Sequence, residues 1–376
     1  MLIMAAVTYG RADLTWQAVE LDPPGPGEVL VKLTASGICD TDRRVIDGTR
    51  HFALPGVVGH EGSGIVQEVG PGVSYLHPGE HVVLGWARCG DCPACTARAT
   101  SYCEQTRRAT EAGVRVGGPL SGQGAYRFLD GKQLGGHFFG QSSLASHTIV
   151  AASSLVAVDH RLPLAKIAPL GCGFSTAFHA VDDVIEPQPG TNVVVLGVGS
   201  VGSAAIIAAS MAGAHVVAVD RKPAKLQLAA QLGADPLMIE DPAELPELLR
   251  SQLGHRPAAV VECTGNPQLA EAAIAAVGSR GVCVLIGGSR AGTTISLDHN
   301  RLVWGKRVQG VLGAGDINRT IGRLADLCRD GSFPLDKLVK VYPSDYLSQA
   351  LADQSAGLVI KPVVLAPAAP AALDKP

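Results

Sequence analysis

The stretch Asn192–Gly202, NVVVLGVGSVG, constrains the fold more than any other part of the chain. Asn192–Leu196 reads as a short buried strand. A glycine turn follows, then a helix of small apolar residues running to about Ala212. Gly197 permits the tight bend, Gly199 lets the backbone approach a pyrophosphate, and Gly202 lets helix and strand pack closely. Ser200 and Val201 open the helix, whose free amides favour an anion. The same alternation continues. His215–Val219, Ala258–Glu262 and Val282–Ile286 read as buried strands, and Lys222–Leu232 and Gln268–Val277 as helices. Strands alternating with helices predict an α/β, doubly wound parallel sheet that binds a dinucleotide. Asp220 ends the second strand, where a carboxylate would bind both ribose hydroxyls of NAD and repel a 2′-phosphate. Arg221 and Lys222 follow it and weaken that exclusion, so NAD is expected over NADP.

Before residue 174 the text is different. Glu28–Ala35, Gly64–Val69 and His81–Leu84 read as short strands broken by Gly/Pro turns. A chain of 376 residues exceeds one ordinary core, so two domains are expected. Residues 98–140 read as a long polar surface loop. Ile321–Arg329 and Leu347–Asp353 read as helices, Leu358–Val364 ends in a strand, and 365–376 reads as a loose tail. Hydrophobic residues make up 47% and charged residues 17%, which suits a well-buried enzyme and argues against disorder. A net charge of −3, with no clustered basic surface, excludes a nucleic-acid partner. The most apolar stretch, Ala204–Val219, is too short to span a bilayer, and no membrane partner is expected. The opening MLIMAAVTYGRADL lacks a cationic leader pattern. The nine cysteines then favour metal or catalysis over disulfides, and a cytoplasmic location.

Cys89, Cys92, Cys95 and Cys103 fall in one short segment, CGDCPACTARATSYC. Four thiolates satisfy tetrahedral zinc completely, so such a site is structural and staples a loop with little core of its own. An iron–sulfur cluster is the remaining metal alternative. Three further candidates lie apart: Cys39 in GICDTDRR, His60 in VVGHEGSG and Cys172 in PLGCGFSTAF. Cys, His and Cys would make a three-ligand zinc site with an open fourth position, the arrangement of a catalytic zinc. Spacing alone does not join them.

A resemblance does. GHEGSGIV, CGDCPAC, LGCGFSTAF and VVVLGVGSVG, in that order, resemble the zinc-dependent medium-chain alcohol dehydrogenases. HFFGQSSLASH at 137–147 is most similar to the aryl (benzyl) alcohol dehydrogenase branch. The resemblance implies a GroES-like β-rich catalytic domain, 1–173 and 311–376, plus a Rossmann NAD-binding domain, 174–310. It implies two zinc ions per chain and a homodimer. Cys39, His60 and Cys172 would bind catalytic zinc, with Glu61 behind the metal. Asp42 would orient His60, Thr41 would take the substrate proton, Thr176 would contact the nicotinamide end, and Lys361 would help hold the pyrophosphate. Trp86, Phe138 and Phe139 would line the pocket. The implied reaction is reversible oxidation of a primary alcohol, apolar or aryl/allylic, to its aldehyde. A thiol-dependent formaldehyde dehydrogenase and a non-catalytic dinucleotide-binding protein are the competing expectations.

Two residues depart from the family pattern. Asp40 stands where many relatives carry Arg or His near the pyrophosphate; a carboxylate there either repels phosphate or caps the following helix, and on the first alternative Asp40→Arg is expected to tighten NAD binding. Arg44 stands where a relay histidine would be, and it cannot act as a base.

Overall fold

A computed structural model describes residues 1–370; the end of the expected tail, 371–376, lies outside the described residues. The chain divides into two compact units, Met1–Cys172 with 314–376, and Gly173–Gly313.

The second unit is built on six parallel strands. In chain order these are Asn192–Leu196, His215–Asp220, Asp235–Met238, Ala259–Glu262, Val282–Leu285 and Arg307–Gly310. Their order across the sheet is third, second, first, fourth, fifth, sixth. The chain therefore reverses its winding between Asn192–Leu196 and Ala259–Glu262, the place where doubly wound sheets bind ligands. Val193, Val194, Val195 and Leu196 are wholly buried, as a strand covered on both faces requires. Helix Ser200–Met211 packs so closely that a Cβ on Gly202 would lie 1.8 Å from the Gly197 carbonyl oxygen.

The first unit is mostly β. Five antiparallel strands form one sheet, in the order Gly56–Val57, Leu2–Thr8, Thr15–Leu21, Tyr126–Arg127, Gln133–Leu134. A seven-stranded sheet runs Leu155–Ala157, His81–Leu84, Gly62–Val69, Glu28–Gly37, Lys361–Leu365, Val339–Tyr342, with His147–Ala151 also paired to Glu28–Gly37. Its register places the site. Ser36 pairs with Gly62 and Gly37 with Val363, both antiparallel. The chain just after Gly37, the chain just before Gly62 and the start of the last strand therefore meet at one end of the sheet.

The expected surface loop at 98–140 is only partly a loop. It contains the helix Thr106–Glu111 and the two short strands Tyr126–Arg127 and Gln133–Leu134. From Gly136 through Val150 every residue is buried. Serine and glutamine hid this in the sequence, because their side chains are buried by bonding to backbone rather than by hydrophobicity. Gln141 donates to the Leu84 and Gly85 carbonyls and accepts from Gly62 N–H, and the Ser142 hydroxyl donates to the Val57 carbonyl.

Candidate metal centres and nucleotide site

Cys39 lies two residues past the strand Glu28–Gly37 and caps the helix Asp40–Ile46. His60 and Glu61 precede the strand Gly62–Val69, and Cys172 follows a turn of 3-10 helix at Ala168–Gly171. That turn packs so tightly that a Cβ on Gly171 would lie 2.1 Å from the Leu84 carbonyl oxygen. One ligand atom from each of Cys39, His60, Glu61 and Cys172 lies within 4.8 Å of all the others. The Cys172 Sγ is 3.4 Å from His60 Nε2, and the Cys39 Sγ is 3.8 Å from the Thr41 hydroxyl.

Asp42, wholly buried, holds this set in place. One oxygen accepts from the Cys39 N–H at 3.0 Å, which closes the helix N-terminus. The other accepts from Gly59 N–H at 2.9 Å and bonds His60 Nδ1 at 3.0 Å. That bond leaves Nε2 as the ring atom facing the thiols. Burial opposes protonation of His60, but the Asp42 carboxylate prevails and lifts its pKa to about 10. A hydrogen bond from the Cys172 thiol, against the effect of desolvation, holds Cys39 well below the usual thiol range.

Glu61 is wholly buried, and burial raises its carboxyl pKa against the pull of Lys361. Lys361 Nζ donates to Glu61 Oε1 at 2.7 Å and to the Ile38 carbonyl at 3.2 Å. Glu61 Oε2 is buried with no partner, an orphan acceptor beside two thiols and an imidazole. Two sulfurs, an imidazole nitrogen and a nearby unsatisfied carboxylate oxygen suit zinc. Lys361, a residue 2% exposed, makes both of these bonds inside its own unit, because a buried Glu61 demands a counter-charge.

Asp40 stands in the first turn of the helix, where a negative charge is favourable, one residue past the capping position. Cys39 occupies the capping position, and the Asp40 carboxylate is exposed and bound to Arg43 at 2.5 Å and Arg44 at 2.7 Å.

The aromatic residues gather at His60. Phe139 stacks on its ring at 4.5 Å, Phe138 meets it edge-on at 5.5 Å, and Trp86 meets Phe139 at 4.7 Å. Phe138 is wholly buried and packs with Phe52, Val58 and Leu144, so it belongs to the core under the site. Phe139 is held by a contorted backbone. His137, Phe139 and Ser142 have φ of 52°, 54° and 53°, a left-handed conformation costing on the order of 1–3 kcal/mol each. The bonds made by Gln141 and Ser142 offset this cost and hold the segment that carries the ring.

The second cysteine group is local. Cys89, Cys92, Cys95 and Cys103 also converge within 4.8 Å, around the short helices Pro93–Thr96 and Thr100–Tyr102. Cys103 Sγ is 3.4 Å and Cys95 Sγ 3.9 Å from Cys89 Sγ. A tetrahedron with zinc–sulfur bonds of roughly 2.3 Å has edges of about 3.8 Å, so four thiolates here fit zinc with no place left open. No disulfide forms among the described residues.

In the second unit a cavity of 540 Å³ is lined by Gly197, Gly199, Asp220, Arg221, Ile239 and Thr264, among others. Gly197 needs its glycine because φ is 88°. A Cβ on Gly199 would meet no protein atom within 4 Å, so whatever needs that space comes from outside the chain. The Ser200 hydroxyl is buried without a partner at the first turn of the helix, and Val201 follows it. These features fit a bound pyrophosphate. Asp220 is committed more than expected: its oxygens accept from Val198 N–H at 2.8 Å and Lys222 N–H at 2.9 Å. Thr176 is buried on the helix Gly173–His179. Sequence reasoning missed Glu262, 1% exposed, whose carboxylate accepts from Thr264 and Gly265 N–H at the cavity edge; a lone acid ending a strand carries no signal of that role. No helix among the described residues is long and apolar enough to cross a membrane.

Residues 25–159 match the alcohol dehydrogenase GroES-like domain family, and 200–328 match the zinc-binding dehydrogenase family. The S-(hydroxymethyl)glutathione dehydrogenase of Photobacterium damsela subsp. piscicida is 35% identical, over 84% of this chain and 86% of that protein. The geraniol dehydrogenase of Castellaniella defragrans is 32% identical over 94% of each chain. The crystal structure of benzyl alcohol dehydrogenase from Acinetobacter calcoaceticus superposes with a TM-score of 0.89 at 34% identity, covering 98% of this chain and all of that one.

Proposed function

The chain belongs to the zinc-dependent medium-chain alcohol dehydrogenases, and from that premise we propose that it oxidises a primary alcohol, apolar or aryl/allylic, to its aldehyde with NAD as hydride acceptor. The observation that carries this reading is the meeting of Cys39, His60 and Cys172, with Asp42 bonded to the far side of the imidazole. These three residues hold catalytic zinc, and the lobe cysteines Cys89, Cys92, Cys95 and Cys103 hold a second, structural zinc. Bound zinc would supply the Lewis acidity that makes an alcohol acidic near neutral pH, and NAD the hydride acceptor.

The chain's own residues do the rest. Asp42 fixes the tautomer and direction of His60. Lys361 neutralises one oxygen of Glu61, keeps that carboxylate behind the metal position, and is the basic residue that helps hold the pyrophosphate. The Thr41 hydroxyl, beside Cys39, accepts the proton of the substrate hydroxyl and passes it on. Arg44 cannot receive it, so ribose hydroxyls and water carry it away. Phe139 and Trp86 shape an aromatic wall that excludes water and favours an unsaturated substrate. Gly197, Gly199, Ser200, Val201 and Gly202 bind the pyrophosphate, Asp220 the adenosine ribose, with Arg221 beside it, and Thr176 the nicotinamide end.

A homodimer suits the edge of the second sheet. Arg307–Gly310 has one free edge, and Val303 and Trp304 nearby are 67% and 68% exposed. Open strand edges and exposed apolar side chains favour self-pairing. Sedimentation of the purified protein tests it.

The enzymatic reading is tested by NADH formation across aliphatic, benzylic and terpenoid alcohols, with NADP run in parallel and zinc measured on the same sample. Two zinc ions without oxidation of any alcohol would overturn it. Turnover of formaldehyde only in the presence of glutathione would move the assignment to the thiol-dependent branch.

A further inference from the structure

Three arginines lie in or just after the helix Asp40–Ile46, and they are used differently. Arg43 binds Asp40 and Asp47, and Arg44 binds Asp40. Arg50 has no carboxylate within 4 Å among the described residues. Glu111, the acid whose charge acts most strongly on it, is engaged by Arg107 at 2.9 Å. The Arg50 Nε is buried with no acceptor. Its guanidinium carbon lies over the Phe139 ring, 5.8 Å from the centroid, and that ring stacks on His60 at 4.5 Å. Taken in series, these contacts put the guanidinium within about 10 Å of the His60 ring.

Trp86 is the second group of this kind. Its ring meets Phe139 at 4.7 Å, and its indole N–H is also buried without an acceptor. Two unsatisfied N–H donors therefore border one ring of the aromatic wall. A substrate with only hydrocarbon beyond its hydroxyl would leave both unpaired, and a buried donor left unpaired weakens binding.

We propose that Arg50, assisted by Trp86, forms a polar subsite at the end of the aromatic wall, and that the preferred alcohol carries a carboxylate on the part remote from the reacting hydroxyl. A planar guanidinium is matched to a carboxylate by paired N–H donors. The distance to His60 suits a carboxylate separated from the carbinol by a single arene. This rests on the alcohol dehydrogenase reading and narrows its substrate class. Arg50 acts on substrate choice, not on the chemical step.

The test compares benzyl alcohol with 4-(hydroxymethyl)benzoate on the zinc-loaded protein with NAD. The expected kcat/KM ratio favours the carboxylate by about tenfold or more. In Arg50→Leu that ratio falls at least tenfold, Arg50→Lys keeps part of it, and Trp86→Phe lowers it by a smaller factor. A structural role would lower both substrates together and leave the ratio alone. A wild-type ratio near one, or a ratio unchanged in Arg50→Leu, overturns the subsite. Calorimetric binding of 4-formylbenzoate against benzaldehyde decides the same question without turnover. If no alcohol is oxidised, the enzymatic reading fails while this binding preference still tests the subsite. If glutathione plus formaldehyde is turned over in an Arg50-dependent way and neither aryl ligand is discriminated, the anion belongs to a thiol adduct and the aryl carboxylate proposal is overturned.

Discussion

The two cysteine-bearing centres differ in how their donors are assembled and in what surrounds them. Cys39, His60 and Cys172 come from three separated segments and meet because strand ends meet. Behind them lie Asp42, Glu61 and Lys361, all buried, Asp42 bonded to His60 and Lys361 to Glu61. The lobe cysteines come from one segment, and besides the Cys89 thiol the groups that reach Cys103 Sγ are the backbone amides of Cys89 and Gln105. Buried charges cost several kcal/mol each unless paired, so a fold retains them where they have work beyond stability. A staple needs only donors; a reactive centre also needs donors that are oriented and electrostatically tuned.

The largest effect separates the two centres directly. Cys172→Ser is expected to lower turnover by about a thousandfold or more while the protein stays folded. Cys103→Ser is expected to lower Tm by roughly 5–10 °C and to keep a measurable share of turnover. Each variant retains one zinc of two by elemental analysis. Equal loss of activity at equal Tm would erase the distinction.

Next is the buried carboxylate. Asp42→Asn is expected to weaken zinc retention about ten- to hundredfold in chelator competition at the Cys39 centre alone. Release of the lobe metal to the same degree would break the comparison.

Gly37→Ala tests how tightly the first centre is packed. The added Cβ would lie 2.1 Å from Glu61 Oε2, so the carboxylate must move. A loss of about 1–3 kcal/mol in urea unfolding is expected. In contrast, Gly90 of the lobe has no atom within 4 Å of its Cβ position, though its φ of 92° disfavours a side chain for a different reason.

The most gradual effect concerns His137, buried where the aromatic segment begins. Burial, with the nearby Arg115 charge, pushes its pKa down to about 3. The unfolded chain then takes up a proton near pH 6.5 that the folded chain refuses. The stability from this group is fully present above pH 6.5 and falls by up to about 1.4 kcal/mol per pH unit between 6.5 and 3. His137→Asn, which tolerates the left-handed backbone, is expected to flatten that slope in urea titrations from pH 7 to 5.

Legibility in the sequence followed locality. The strand–glycine–helix run at 192–202 could be read because each glycine answers a neighbour within a few residues, as the contact between Gly202 and Gly197 illustrates. The four lobe cysteines could be grouped because one short segment carries them all. The alternation of strands and helices after 190 came through, with ends displaced by a few residues: Ile321–Arg329 begins at Ile317 in the structure. Residues 136–140, the end of the expected surface loop, were misread because the burial of this stretch is driven by side-chain bonds to distant carbonyls, and composition does not reveal such bonds.

By itself, then, the sequence determined a dinucleotide-type α/β sheet and a thiol-rich lobe, and through family resemblance it named the candidates for the first centre. Only the tertiary structure decided that Lys361 serves Glu61 and that Arg50 is left over beside Phe139. Charges choose partners by distance in space. Those distances follow from antiparallel register between strands remote in the chain, which no local pattern of residues encodes.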